Sequence, residues 1–148
     1  MDAREALKKK FNTEPSESDI DWYLLNNELL TNFENNNWGF YRSTKFQMAE
    51  HLRKEHKYQD ALKLYFEVLY IDLNGPINVG KKRAGKIFEA SMGMAPPGVV
   101  KKAVKMTKKL DMETDEIENK FLNVATNIYN KNFPIQPDEA WLRVKRDF

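Results

Sequence analysis

The sequence predicts an all-α domain of about seven helices and no sheet, built on one antiparallel helix pair closed by flanking helices. Three observations carry that prediction. No segment sustains the two-residue alternation that a half-buried strand needs. Apolar residues recur three or four positions apart, which places them on one face of a helix. Pro, Gly and Asn break the helical pattern around Pro15, at Asn35, Asn36 and Asn37, within 72–80, within 93–98 and around Pro134.

Taken in order, residues 2–11 suit a short helix, and the stretch 12–17, with Pro15 inside it, stops it, so 1–17 is expected as a loose arm. Ser16 or Ser18 then offers an N-cap, and Asp19 and Asp21 fall in the first turn, where the helix dipole favours negative charge. That helix runs to about Glu34 with Trp22, Leu25, Leu29 and Phe33 facing inward, and Asn35, Asn36 and Asn37 end it. The region 42–75 holds the helix pair, with a tight turn before Tyr58. After the break at Asn74, Gly75 and Pro76, residues 81–92 suit a helix with Ile87, Phe88 and Met92 inward. Residues 99–110 suit another, burying Val100, Ala103, Val104 and Leu110. Thr114 is placed to cap a helix that buries Ile117, Phe121, Val124, Ala125 and Ile128. A loop around Pro134 leads to Pro137, which suits the first turn of a last helix packing Trp141, Leu142 and Val144. The expected organisation is one domain over 1–148, with the arm, a helix plus pair over 18–75, and a basic helical segment over 76–148.

The pair itself carries small residues where two backbones must approach closely. With Arg42 as the first of 34 positions, Ala49 and Ala61 stand eighth and twentieth, with Tyr58, Tyr65 and Val68 at places seventeen, twenty-four and twenty-seven. In this spacing residues 42–75 resemble one tetratricopeptide (TPR) repeat, with Lys45 where the family prefers Trp and Leu73 where it prefers Pro. The whole is similar to small bacterial or prophage proteins that join one such repeat to helical flanks. The resemblance implies a scaffold that binds another protein through the first helix of the repeat, at Ser43, Phe46, Gln47, Glu50 and Arg53. A single repeat cannot bury its own apolar faces, so the flanking helices, or a second copy in a homo-oligomer, must cover them.

Composition bounds the rest. A chain of 148 residues is long enough to bury a core as one domain, and a formal charge of +2 dictates no partner. The absence of Cys excludes disulfide and thiolate chemistry and fits a reducing compartment. No secretory signal or membrane-crossing stretch is read, and a cytoplasmic protein without a membrane partner is expected.

No constellation points to an enzyme, a cofactor or a metal. The spacing from Gly75 to Lys81 imitates a phosphate-binding loop, but Lys82 replaces the needed Ser or Thr and no strand precedes it. His51 and His56, the only histidines, are five apart and share no helical face, and neither a metal site nor a Ser/His/acid triad is expected around them. Charge is polarised along the chain. Residues 12–34 carry six acids and no base, whereas 81–109 carry nine bases against Glu89 alone. Lys81, Lys82, Arg83, Lys86, Lys101, Lys102, Lys105, Lys108 and Lys109 form a candidate patch for phosphates or an acidic partner. The leading expectation is a non-enzymatic protein- or peptide-binding module; the alternative is a nucleic-acid-associated protein using the basic region.

Overall fold

The computed structural model describes residues 2–74 and 97–148. The expected helix over 81–92, the loop from Gly75 to Lys81, and Lys81, Lys82, Arg83 and Lys86 lie outside the described residues. The described residues form seven α-helices: α1 (Ala3–Phe11), α2 (Glu17–Glu34), α3 (Trp38–Lys54), α4 (Tyr58–Asn74), α5 (Pro97–Lys109), α6 (Thr114–Ile128) and α7 (Pro137–Val144), with a closing 3₁₀ turn at Lys145–Asp147. They contain no strand, only an isolated bridge between Asn130 and Phe133.

Local chemistry sets the helix ends. Asp2 caps α1 by accepting the Glu5 N–H at 2.8 Å. Ser16, not Ser18, caps α2, in a reciprocal box with Asp19 in which both hydrogen bonds measure 3.1 Å. Asn12, Asn36, His56 and Asp111 take positive φ between 53° and 61° at the ends of α1, α2, α3 and α5, where a left-handed residue turns the chain out of the helix. The residue before α6 is Glu113 rather than the expected Thr114, and the Glu116 carboxylate reaches back to its N–H at 3.3 Å. Pro137 opens α7, where its missing N–H has no helical partner to lose.

Helices α3 and α4 pack as an antiparallel pair. Arg42 meets Asp72 at 2.9 Å, Lys45 meets Glu67 at 2.5 Å and the Phe46 ring lies 6.1 Å from that of Tyr65. Partner numbers fall along α4 as they rise along α3, and continuing the series sets Ala49 against Ala61, both fully buried. With no side chain beyond Cβ, the two alanines let the helices close on each other. Helix α3 begins at Trp38, four residues ahead of Arg42, and the Trp38 ring joins Tyr41 and Phe133 at 5.5 and 5.4 Å.

Helix α4 is the centre of the domain, covered by α3, α5 and α6. Phe66 packs edge-on to Phe121 at 5.4 Å and to Phe148 at 5.7 Å, and Phe121 meets Trp141 at 5.5 Å. The Tyr70 hydroxyl lies within hydrogen-bond reach of the carbonyls of Phe133 and Ile135, which share its one proton, and the Asn74 side chain accepts the Ile135 N–H at 2.9 Å. These bonds sew the loop before α7 onto the central helix and satisfy its backbone groups.

At the other side α2 lies on α3 and α1 on α2. The segment read as an arm carries α1, held to the rest by buried Leu7 and Pro15 and by Arg4 bridging Glu14 and Glu17 at 2.5 and 2.9 Å. Three expected faces are corrected. Phe33 is 52% exposed, touching Trp38 and Tyr41 only at the helix end, and Asn32 is the residue α2 buries instead. Helix α5 turns Val99, Ala103, Met106 and Thr107 inward; Val100 packs partly buried against the core as expected, whereas Val104 stays half-exposed. Leu142 faces solvent, since Ala140, Trp141 and Val144 already fill the contact of α7 with the core.

Candidate partner-binding surface

The face of α3 opposite the Ala49 seam meets α2 along a groove of about 510 Å³. Helix α2 contributes Asp21, Leu24, Leu25 and Glu28. Helix α3 contributes Phe46, Gln47, Glu50, His51 and Lys54. The floor is apolar, from the two leucines and Phe46, and the rim carries acids on both sides with Lys54 at one edge. Leu24 remains 51% exposed.

Of the residues expected to bind a partner, Phe46, Gln47 and Glu50 line this groove. Ser43 and Arg53 are half-buried on the same helix and lie outside the groove lining. Phe46 divides its surface: it packs edge-on against Tyr65 in the core, and two cations flank its ring, the Arg42 guanidinium at 5.5 Å and the Lys102 ammonium at 5.9 Å. Glu50 is the electrostatic node of the surface, bound by Arg53 at 2.6 Å and by Lys102 of α5 at 2.5 Å. Burial opposes its charge, but the hydrogen bonds from Lys102 and Arg53 outweigh that and hold its carboxyl below the usual range. The Tyr65 hydroxyl lies buried near Glu50 and Arg53 without a hydrogen bond of ordinary geometry; burial first, and then the Glu50 charge, push it up to about 12.

The lysines of α5 divide into two sets. Lys102 turns to Glu50, and Lys109 sits 5.2 Å over the Tyr58 ring. Lys101, Lys105 and Lys108 face solvent around a shallow groove of about 440 Å³ whose floor is Val100 and Val104 and whose end carries Asp147. The first turn of α6, which follows this basic helix, exposes Asp115 and Glu116, whose charges would repel phosphates.

One juxtaposition escaped the sequence reading. Ser18, His51 and Glu55 meet near the start of α2: the Ser18 hydroxyl lies 3.2 Å from His51 Nε2 and donates to the Glu55 carboxylate. Glu55 approaches the same ring nitrogen at 3.8 Å. In a Ser/His/acid triad the acid holds Nδ1 so that Nε2 is free to take the serine proton. Here both partners gather at Nε2, so the acid cannot orient the ring for proton transfer. With Trp22 stacked on His51 at 5.4 Å, the cluster acts as a clasp holding α2 on α3. His56 bonds the Tyr58 hydroxyl at 2.7 Å in the inter-helix turn.

Among the described residues no group of three or more His, Asp or Glu is placed to hold a metal ion, and no helix is long and apolar enough to cross a membrane. The α2 half of the groove was also missed, although Leu24–Leu25 and Leu29–Leu30 are adjacent leucine pairs, and neighbours on a helix point too far apart for both to face the core. Compared with known proteins, the chain matches no family model, no curated protein and no solved structure.

Proposed function

We propose that this chain is a non-enzymatic, TPR-like protein-binding module that takes a helix or peptide in the groove between α2 and α3. The reading rests on one observation: an apolar floor of Leu24, Leu25 and Phe46, with Leu24 half-exposed, bordered by Asp21, Glu28 and Glu50. An apolar anchor with a charged border is how a helix-in-groove site combines affinity with orientation. Glu50 is already held by Arg53 and Lys102, so Asp21 and Glu28 are the acids that favour an occupant with basic residues around an apolar centre.

Selection of displayed helical peptides on the wild-type protein, with counter-selection on Leu24→Lys, tests the reading. Enriched peptides are expected to carry Lys or Arg around one or two large apolar residues and to lose binding to the variant. Recovery of the same peptides on both proteins overturns the proposal. Phe46→Ala is a less clean probe, because its contact with Tyr65 ties it to the core and its loss should cost roughly 2 kcal/mol of stability.

A further inference from the structure

Helices α2 and α5 carry the same surface pattern with opposite charge. On α2, Asp21, Leu24 and Glu28 stand at positions i, i+3 and i+7. On α5, Lys101, Val104 and Lys108 stand at the same spacing. In each triplet the residues share one helical stripe about 10 Å long, at 1.5 Å per residue. The α5 stripe faces away from α4, and the α2 stripe runs along the open edge of the groove beside α3, where Glu28 also accepts a hydrogen bond from the Thr44 hydroxyl at 3.3 Å. Asp21 and Glu28 are exposed and Leu24 is 51% exposed, while Lys101 and Lys108 are exposed and Val104 half-exposed. Among the described residues none of the four charged side chains makes an ion pair.

We propose that the α2 stripe of one copy docks on the α5 stripe of a second copy, so that the chain associates head to tail. The idea rests on the protein-binding reading of the α2–α3 groove and names its occupant. A charge–apolar–charge stripe reads almost alike in both directions, so two ion pairs bracket one leucine–valine contact whether the helices run parallel or antiparallel. Among the described residues Leu24 of α2 is only partly covered, at 51% exposed. The two surfaces differ, so each copy keeps one free stripe after the first contact, and assembly grows into a ring or an open chain. Exposed ion pairs and a small apolar contact make the association weak and salt-sensitive. Asp147, at the end of the α5 groove, competes for the lysines from within the chain and weakens it further.

Sedimentation velocity on the full chain, over concentrations up to about 1 mM and at low and high salt, tests this. The wild type is expected to sediment increasingly faster with concentration at low salt and as a single chain at high salt. Asp21→Lys with Glu28→Lys, and Lys101→Glu with Lys108→Glu, each place like charges opposite one another and should weaken association roughly tenfold or more. Mixing the two variants restores complementary stripes, as does combining all four changes in one chain, and either should recover association. Circular dichroism checks that the helices persist, as expected for exposed positions.

Wild-type protein that stays a single chain throughout, or variants that associate as well as it does, overturns the proposal. A stripe of Lys101 and Lys108 that binds random duplex DNA while the chain stays single also overturns it and assigns α5 to phosphates. Peptide selection on the groove reads out independently: peptides that still depend on Leu24 leave the binding module standing with a different occupant.

Discussion

Helices α2 and α4 are nearly equal in length, 18 and 17 residues, and both are rich in leucine and aromatic side chains, yet α2 buries one residue and α4 buries thirteen. Place in the stack makes the difference. Helix α4 is enclosed by α3, α5 and α6, so even Glu67, Asp72 and Asn74 are taken from water and must find partners inside. Helix α2 rests on α3, keeps its acids solvated and leaves Leu24, Leu30 and Phe33 uncovered. The central helix therefore answers to packing and the outer one to its surroundings, and this is the physical ground for placing a partner on α2.

The largest expected effect lies at the buried Arg42–Asp72 pair. Asp72→Asn should cost about 3–5 kcal/mol in urea unfolding, because it strands the Arg42 guanidinium without its countercharge. Arg42→Met combined with Asp72→Leu should return stability close to wild type, since the pair supplies fit rather than net energy. The pH dependence follows the same cause. Burial raises the Asp72 carboxyl above its ordinary 3.8 despite the hydrogen bonds from Arg42. The folded chain thus holds that proton more tightly than the unfolded one, and this group's contribution falls as pH climbs from the ordinary value through the raised one. The double variant should gain on the wild type over that interval; an unchanged gap would mean that Asp72 does not titrate there.

On α2 the expected effects shrink. Ser16→Ala removes the hydroxyl of the capping box and should cost about 1 kcal/mol, with increased amide exchange confined to the first turn of α2. A loss spread through α4 would show that the outer helix is coupled to the centre more tightly than its burial implies. Leu24→Lys should change stability by no more than about 0.5 kcal/mol, because the side chain already stands largely in water. Its effect belongs on binding, and a large loss of stability would erase the contrast between the two helices.

Much of the fold was legible because it depends on local signals. Ser16, the Asn35–Asn37 run and Pro137 act within a few residues of where they stand, and the apolar residues of α3 and α4 recur three or four positions apart. Errors of face arose where two readings had similar apolar content. On α5 Val104 stands beside the buried Ala103 and is as apolar as Val99, yet Val99, Met106 and Thr107 join Ala103 in the core and Val104 stays half-exposed. The candidate groove was half legible. Phe46, Gln47 and Glu50 follow from the helix-pair register, but Leu24 and Glu28 enter only once α2 is set beside α3. Lys45, standing where the resemblance expects Trp, is explained by Glu67, which takes its ammonium, and by the Tyr41 ring 5.0 Å away.

The sequence by itself determined that the described segments are helical, where those helices stop, and that acid and base are segregated along the chain. These properties are written in spacings of three or four residues and in side chains that act on their own backbone. Tertiary structure alone decided which leucines stay wet, that Ser18, His51 and Glu55 meet as a clasp, and that Lys102 turns to Glu50 while Lys101 and Lys108 do not. Such outcomes depend on the rotation of one whole helix against another, a quantity fixed by the summed packing of distant residues and absent from any single stretch of the chain.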